Sequence, residues 1–384
     1  MREGVGPLLL LRVETRAFRN LAAQSVPLSA QTTVLSGPNG QGKTNFLEAC
    51  YLLCTLRPLR AQKLAELVRF GEPEALVRGQ FELAGGEREV EVSVREGRRS
   101  ARVDGKAVRD PDELFGGLAV VAFTPDDLAL VKGGPEGRRK LLDRAVQNRH
   151  PVHLSDARDY LRALKSRNQL LRQGAPQDLL AAFDEPLARL GARLRLRREQ
   201  VLAELLAPAT GSFAEVARGE APLSLVYQAA GRDQDDLGET ASALGEAGLV
   251  GRILAALQRR LQRDRERGYT SIGPHADDLA LALGDRPARL FASQGQSRAI
   301  VLAFKIGEIE NLRARQGRAP LLLLDDVSSE LDPERNAFLM TYLGALKGQV
   351  LLTTTDPRLV SAATGPEARF HAVRDGLISP AAAS

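Results

Sequence analysis

The sequence predicts an α/β fold: a nucleotide-binding head of mixed sheet and helices with an antiparallel β subdomain, interrupted by an inserted, mainly helical arm. Three observations carry this. The run Gly37-Pro38-Asn39-Gly40-Gln41-Gly42-Lys43-Thr44 fits the phosphate-loop pattern and stands between a β-prone run and an apolar stretch with helical spacing. The last third alternates strand and helix in the βαβ order of a parallel sheet. The middle turns to helical periodicity with heavy arginine content, which marks an insertion.

With 384 residues the chain can bury a full core and hold two domains, or one domain with a large insertion. Its 43% apolar content is that of a globular protein. The longest aliphatic runs, 8–11 and 321–324, are too short to span a bilayer, and no leader-like h-region opens the chain. A cytoplasmic protein with no membrane role is expected. Cys50 and Cys54 fall four apart on the helix after the loop and read as small buried side chains, since zinc needs more ligands. A net charge of +5 is compatible with a polyanion partner.

Taken in order, 8–14, 24–28 and 31–35 read as short strands, followed by the phosphate loop and its helix. A second helical stretch covers 63–70. Strands at 75–83, 87–94 and 100–103, separated by turns at Gly85-Gly86 and Asp104-Gly105, read as antiparallel sheet. A buried strand at 118–123 runs into Thr124-Pro125-Asp126-Asp127, a turn composition. From 137 to 207 the pattern is helical, with Pro151, Gly174-Ala175-Pro176 and Pro208 expected to cut it into short pieces. The acidic stretch 199–248 holds one strand, 223–228, and its later half reads as partly mobile. A basic helix follows at 252–267. Strands at 279–283 and 289–291, a helix at 297–315, a buried strand at 320–324, a helix at 334–346 and a strand at 348–354 complete the chain. This divides it into a head, 1–137 with 269–384, and an arm, 138–268.

In a strand-loop-helix of this kind, backbone N–H groups and the helix N-terminus hold phosphates, Lys43 reaches the β and γ groups, and Thr44 places a hydroxyl on Mg²⁺. The run Leu321-Leu322-Leu323-Leu324-Asp325-Asp326 suits a central parallel strand whose C-terminal edge faces those phosphates. Asp325 is placed to hold Mg²⁺ opposite Thr44, and Asp326 to act as general base on the attacking water. The stretch 291–298, containing Ser293-Gln294-Gly295-Gln296, opens a helix and offers a second anion-binding surface, or only a cap.

The order phosphate loop, Ser293-Gln294-Gly295-Gln296, apolar strand with acids, Ser329-Glu330-Leu331-Asp332 resembles the ABC-type ATPase heads. Within them the match is closest to the RecF family. It runs through Phe18-Arg19-Asn20, Gly40 to Ala49, Pro125-Asp126-Asp127-Leu128, Val131 to Pro135, Arg138 to Asp143, Gly273-Pro274-His275 and Asp277-Asp278, and so covers nearly the whole chain. The resemblance implies an ATP and Mg²⁺ site built from Gly37, Asn39, Gly40, Gly42, Lys43, Thr44, Asn45 and Asp325. It places Asp326 where most such ATPases carry Glu, and Arg19 and Asn20 beside the nucleotide. Ser293, with Gly295 and Gln296, becomes a signature that touches the γ-phosphate held by the other subunit of a head-to-tail homodimer. It further implies binding to duplex DNA near gaps or single-strand/double-strand junctions, and work with RecR, RecO and RecA in repair. No Gln stands at the strand end 123–126, and Thr354 or Thr355 occupies the place of the switch His. A slow, DNA-dependent ATPase used as a switch is expected.

Two basic regions are candidates for DNA. Between Arg138 and Arg172 ten Arg or Lys face three Asp, and the run Arg189, Arg193, Arg195, Arg197, Arg198 contains no acid; 252–267 adds six Arg against two acids. With no Trp and five Tyr, backbone contact to duplex is favoured over a stacking groove for single strands. His275 in its Gly-Pro-His turn reads as structural or nucleotide-adjacent. A transporter ATPase subunit would place the signature about a hundred residues after the phosphate loop, and a structural SMC-like protein would need long heptad arrays; neither is present.

Overall fold

The computed structural model describes residues 8–60, 63–83, 86–108, 118–230 and 240–382. The chain forms two compact units, Met1–Asp127 with Lys305–Ser384, and Leu128–Phe304. In chain order the main elements are β1 (Leu9–Arg16), β2 (Gln24–Pro27), β3 (Thr32–Ser36), α1 (Lys43–Thr55), β4 (Glu74–Leu83), β5 (Gly86–Arg95), β6 (Arg98–Val103), β7 (Lys106–Ala107) and β8 (Val120–Phe123). Next come α2 (Pro135–Arg149), α3 (His153–Arg172), α4 (Gln177–Val216), β9 (Leu223–Gln228), α5 (Ala241–Arg267), β10 (Asp278–Leu283) and β11 (Arg286–Pro287). The chain ends with α6 (Gln294–Gln316), β12 (Leu321–Asp325), α7 (Pro333–Ala345), β13 (Val350–Thr354), β14 (Arg369–Arg374) and β15 (Leu377–Ala381).

Among the described residues the first unit holds two six-stranded sheets. One is antiparallel, in the order β2-β1-β4-β5-β6-β7. Along β5, Val90, Val92 and Val94 are buried while Glu89, Glu91 and Ser93 are not, the period-2 pattern of a sheet with one packed face. The other sheet, β15-β14-β3-β13-β12-β8, is parallel from β14 to β8, with β15 antiparallel at its edge. Every residue of β8, β12 and β13 is buried, which is why these strands read as unbroken aliphatic runs. Helix α1 packs against both sheets, and all its residues from Phe46 to Thr55 are buried, as a helix apolar on every side requires. Its Phe46, Leu47, Cys50 and Leu53 share one core with Val77, Phe81 and Val92 of the antiparallel sheet and Leu321, Leu323 and Leu351 of the parallel one. Gly79 on β4 permits the approach, because a Cβ there would lie 2.7 Å from Leu53. Truncating Leu47 to Ala in such a core costs about 2–5 kcal/mol. Both cysteines are buried thiols, and burial pushes Cys54 up to about 12, which leaves it inert.

The second unit packs α3, α4 and α5 around Tyr160, Leu187, Ala188, Ala192, Leu194, Ile253 and Leu257, with a small sheet β11-β10-β9. Four expectations change here. Helix α4 runs for 40 residues straight through Pro186 and Pro208. An interior proline costs about 3 kcal/mol, which burial of Leu187, Ala188, Leu205 and Ala209 beside the two prolines offsets. Residues 128–137 and 269–304 group with this unit rather than with the head, because β10 pairs with β9 of the insertion, Leu279 opposite Tyr227. Residues 288–291 form a helical turn instead of a strand.

The acid-free arginine run is not a row of free cations, because each of its five arginines pairs with an acid. Arg195 and Arg198 are buried: Arg195 makes two bonds to Asp277 (2.8 and 2.7 Å), and Arg198 two to Asp143 (2.7 and 2.9 Å). Arg189 pairs with Glu185, Arg193 with Glu246 and Arg197 with Asp156. Burial opposes the charge on Asp143, yet Arg198 and His153 outweigh it and hold its carboxyl below the usual range. Arg189 and Arg193 stay exposed but paired, and further exposed basic residues stand at Arg158, Arg162, Lys165 and Arg172 on α3 and at Arg259, Arg263 and Arg267 on α5. His275 bonds Tyr160 (2.6 Å) and the Thr270 carbonyl (2.9 Å), a structural role. Gly273 is required beside it, since its φ is +119° and a Cβ would meet the Tyr160 hydroxyl at 2.4 Å.

Elsewhere the differences are small. The helical stretch expected at 63–70 is a single 3₁₀ turn, Leu64–Leu67. Gly85 of the expected hairpin turn, and 231–239 of the stretch read as mobile, lie outside the described residues; 241–248 belong to α5. No helix among the described residues is long and apolar enough to cross a membrane.

Candidate nucleotide site

The C-terminal edge of the parallel sheet brings the predicted residues of the first unit together. β3 ends at Ser36, in register with Thr354 of β13, while Asp325 of β12 stands opposite Thr353. The loop after β3 is tightly seated: a Cβ on Gly37 would lie 2.4 Å from the Val373 carbonyl, and one on Gly42 2.9 Å from Asn20 Oδ1. Asp375 N and Gly376 N donate to Gln41 (2.6 and 2.9 Å), which ties the loop to the β14–β15 turn. Asn39 and Gly40 are exposed at its crest.

Lys43 begins α1. Its ammonium is buried in the loop and donates to the carbonyls of Gly37 and Pro38. Burial lowers its pKa, opposed by the charges of Asp326 and Asp325. Thr44 Oγ1 donates to Asp325 Oδ1 at 2.7 Å, and Thr353 Oγ1 donates to the same oxygen at 3.1 Å. Burial nonetheless raises the pKa of Asp325. Asp326 adopts a left-handed backbone (φ 50°), its N–H donating to Thr353 Oγ1 (2.9 Å), and its buried Oδ1 makes no hydrogen bond. A buried carboxylate oxygen left this way can take a partner from outside the chain, such as a water.

Asn20 accepts from Asn45 Nδ2 (2.7 Å) and donates weakly to the Gly40 carbonyl (3.4 Å), so both brace the loop. Arg19 turns to Glu48 on α1 (2.9 Å). Four groups here were not among the expected site residues: Arg60 and Thr353, and Glu48 and Asp126, which the sequence offered only within family-like stretches. Arg60 approaches Asp325 Oδ2 at 3.6 Å and Asp126 Oδ2 at 3.8 Å. The available signal was Glu48, a lone acid in an apolar helix, which needs a buried partner.

An oxygen pair such as Thr44 with Asp325 suits a hard cation. No group of three or more His, Cys, Asp or Glu able to hold a metal occurs among the described residues. One carboxylate beside one hydroxyl fits Mg²⁺, which takes one or two carboxylates plus phosphate oxygens and water. At the expected switch position Thr354 bonds within its own loop, to Asp356, and Thr355 is exposed.

Ser293, Gly295 and Gln296 lie in the second unit. Ser293 Oγ accepts from Gln296 N (3.1 Å), while Gln296 Oε1 accepts from Ser293 N (2.8 Å), a reciprocal cap on the 23-residue helix α6. Ser293 is exposed, and so are Leu290 and Phe291 just before it, at 72% and 61%.

The family model described as RecF/RecN/SMC N terminal domain matches residues 9–376. A "DNA replication and repair protein RecF" of Anaeromyxobacter sp. (strain K) is 55% identical over 375 residues, covering 97% of this chain and 99% of its own. A solved structure described as "Structure of the recombination mediator protein RecF-ATP in RecFOR pathway" superimposes with a TM-score of 0.87 at 29% identity, with 100% of both chains covered. The Smc head domain of Pyrococcus furiosus matches with a TM-score of 0.55 at 15% identity over 97% of this chain and 95% of that one, which is a likeness of fold alone.

Proposed function

Because the chain belongs to the RecF family of DNA replication and repair proteins, whose heads are of the ABC ATPase type, we propose that it is an ATP-gated DNA-binding switch. It binds ATP at the loop 37–44, forms a head-to-tail homodimer on duplex DNA near gaps or single-strand/double-strand junctions, and hydrolyses ATP slowly. In the cytoplasm it helps RecR and RecO to place RecA on SSB-coated single strands, a role carried by family membership.

The observation that carries the chemistry is the joint placement of Thr44 and Asp325, 2.7 Å apart, beside the unpaired carboxylate oxygen of Asp326. Thr44 and Asp325 would hold Mg²⁺, which when bound neutralises charge on the phosphate oxygens. Lys43, now bonded to the carbonyls of Gly37 and Pro38, exchanges those partners for the β- and γ-phosphates. Asn39, Gly40 and Gly42 present backbone to the phosphates, while Asn20 and Asn45 hold the loop. Arg19 lies behind the loop against Glu48. Asp326 takes the proton of the attacking water. Its side chain is shorter than Glu, and Thr354 is engaged by Asp356, so turnover is slow. Ser293, with Gly295 and Gln296, meets the partner's γ-phosphate, and exposed Leu290 and Phe291 supply apolar area to that dimer face. Duplex backbone is met by the exposed arginines of α3 and α5.

The test is Asp326→Asn. It should bind ATP like the wild type, hydrolyse none, and accumulate as a dimer in light scattering with Mg²⁺ and ATP. Asp325→Asn should lose Mg²⁺-dependent affinity. Equal loss of ATP binding in both would contradict the assignment.

A further inference from the structure

We infer that Arg60 and Asp126 are positioning residues for hydrolysis, a charged pair that holds the metal-binding carboxylate from the side away from Thr44. This rests on the ATPase reading and goes beyond it. Asp325 Oδ1 is held by Thr44 and Thr353, whereas the partner of its Oδ2 is the Arg60 guanidinium, at 3.6 Å. The same guanidinium reaches Asp126 Oδ2 at 3.8 Å. Arg60 therefore spans from the end of β12 to the turn after β8, the place at which a glutamine was expected and not found.

Both ends of this bridge have fixed mounts. Arg60 N donates to Glu48 Oε1 (2.9 Å), and Glu48, almost wholly buried on α1, spends its other oxygen on Arg19 (2.8 Å). Asp126 precedes Asp127, whose buried carboxylate accepts from Thr124 N (2.7 Å) and faces Lys305 (3.6 Å). A carboxylate with one oxygen on hydroxyls and the other facing a cation has its rotation restricted, and that rotation would decide whether it meets a metal squarely. Asp126 itself is 68% exposed, so its carboxylate contributes little to folding and its substitution reads function cleanly.

The experiment measures kcat, KM and ATP affinity, with and without Mg²⁺, for Arg60→Ala, Arg60→Lys, Asp126→Asn and the Arg60→Ala/Asp126→Asn double variant. Lys43→Ala serves as the control for nucleotide binding. Each single neutral variant should lower kcat about tenfold or more with Mg²⁺-free ATP affinity within about twofold of wild type. The Mg²⁺ needed for half-maximal ATP binding should rise about threefold in Arg60→Ala. Arg60→Lys should recover part of the rate, and the double variant should be no slower than the slower single. Unchanged kcat in Asp126→Asn, losses that multiply in the double, or Mg²⁺-free affinity lost as in Lys43→Ala would each overturn the proposal. A wild-type chain that binds no ATP, indistinguishable from Lys43→Ala, removes the ATPase reading and this inference with it.

Discussion

Replacing Arg195 by alanine should cost the second unit its stability. Asp277 is fully buried, and its two oxygens accept four bonds: two from Arg195, one from Ala230 N (2.7 Å) and one from the Tyr227 hydroxyl (2.5 Å). Removing the guanidinium leaves two neutral donors to solvate a carboxylate with no access to water. Breaking a buried pair in this way typically costs about 3–5 kcal/mol, because the surviving charge is uncompensated. In a domain of about 150–250 residues each kcal/mol moves the melting temperature by about 2–4 °C. Thermal unfolding followed by circular dichroism should therefore show a fall of roughly 6–20 °C in the transition that reports this unit. Arg263→Ala on α5 should shift it by less than about 2 °C. If Arg195→Ala melts with the wild type while losing DNA affinity, Arg195 is a surface contact and the buried network is wrongly drawn.

The other expectations follow from the same charges. Replacing Arg259, Arg263 and Arg267 by Gln should weaken binding to all duplex sequences alike and flatten the slope of log K against log salt by about 0.9 per lost phosphate contact; an unchanged slope in a fluorescence titration removes α5 from the interface. Burial lowers the pKa of all four histidines, His150 to about 4 and His153, His275 and His371 in the same direction. The folded chain thus takes up fewer protons than the unfolded one below the ordinary value of 6.5, so stability is lost as pH falls from 6.5 towards 4, and a melting temperature that rises over that interval would contradict the assignment.

The site was legible where its chemistry is local. The loop 37–44 and the run 321–326 each announce themselves by spacing, and a parallel strand's C-terminal edge is where their ends must meet, so the contact of Thr44 with Asp325 needed no long-range information. The arginine run misled because its partners are distant: Asp277 lies 82 positions from Arg195 and Asp143 lies 55 from Arg198. A local charge count sees donors without acceptors and reads an open surface. Helix α4 was hidden for an energetic reason, since the cost of Pro186 and Pro208 is visible in the sequence while the burial of their neighbours is not. Arg60 carried no pattern of its own, and its meaning comes from Glu48, Asp126 and Asp325 converging on it.

The central claim is that each active site is shared between two chains, with Lys43 from one and Ser293 from the other. It is tested by mixing Lys43→Ala, which cannot hold the phosphates, with Ser293→Arg, whose bulk and charge block the opposing face. Each variant alone should be inactive in an ATPase assay. In a head-to-tail mixed dimer one site collects both defects, while the other joins the intact Lys43 of one chain to the intact Ser293 of its partner. With free exchange about half the dimers are mixed and each has one of two sites restored, so up to roughly a quarter of the wild-type rate should return if the sites act independently. A mixture that stays silent after subunit exchange has been demonstrated would show that Ser293 serves its own chain's nucleotide or none, and the shared site would fall.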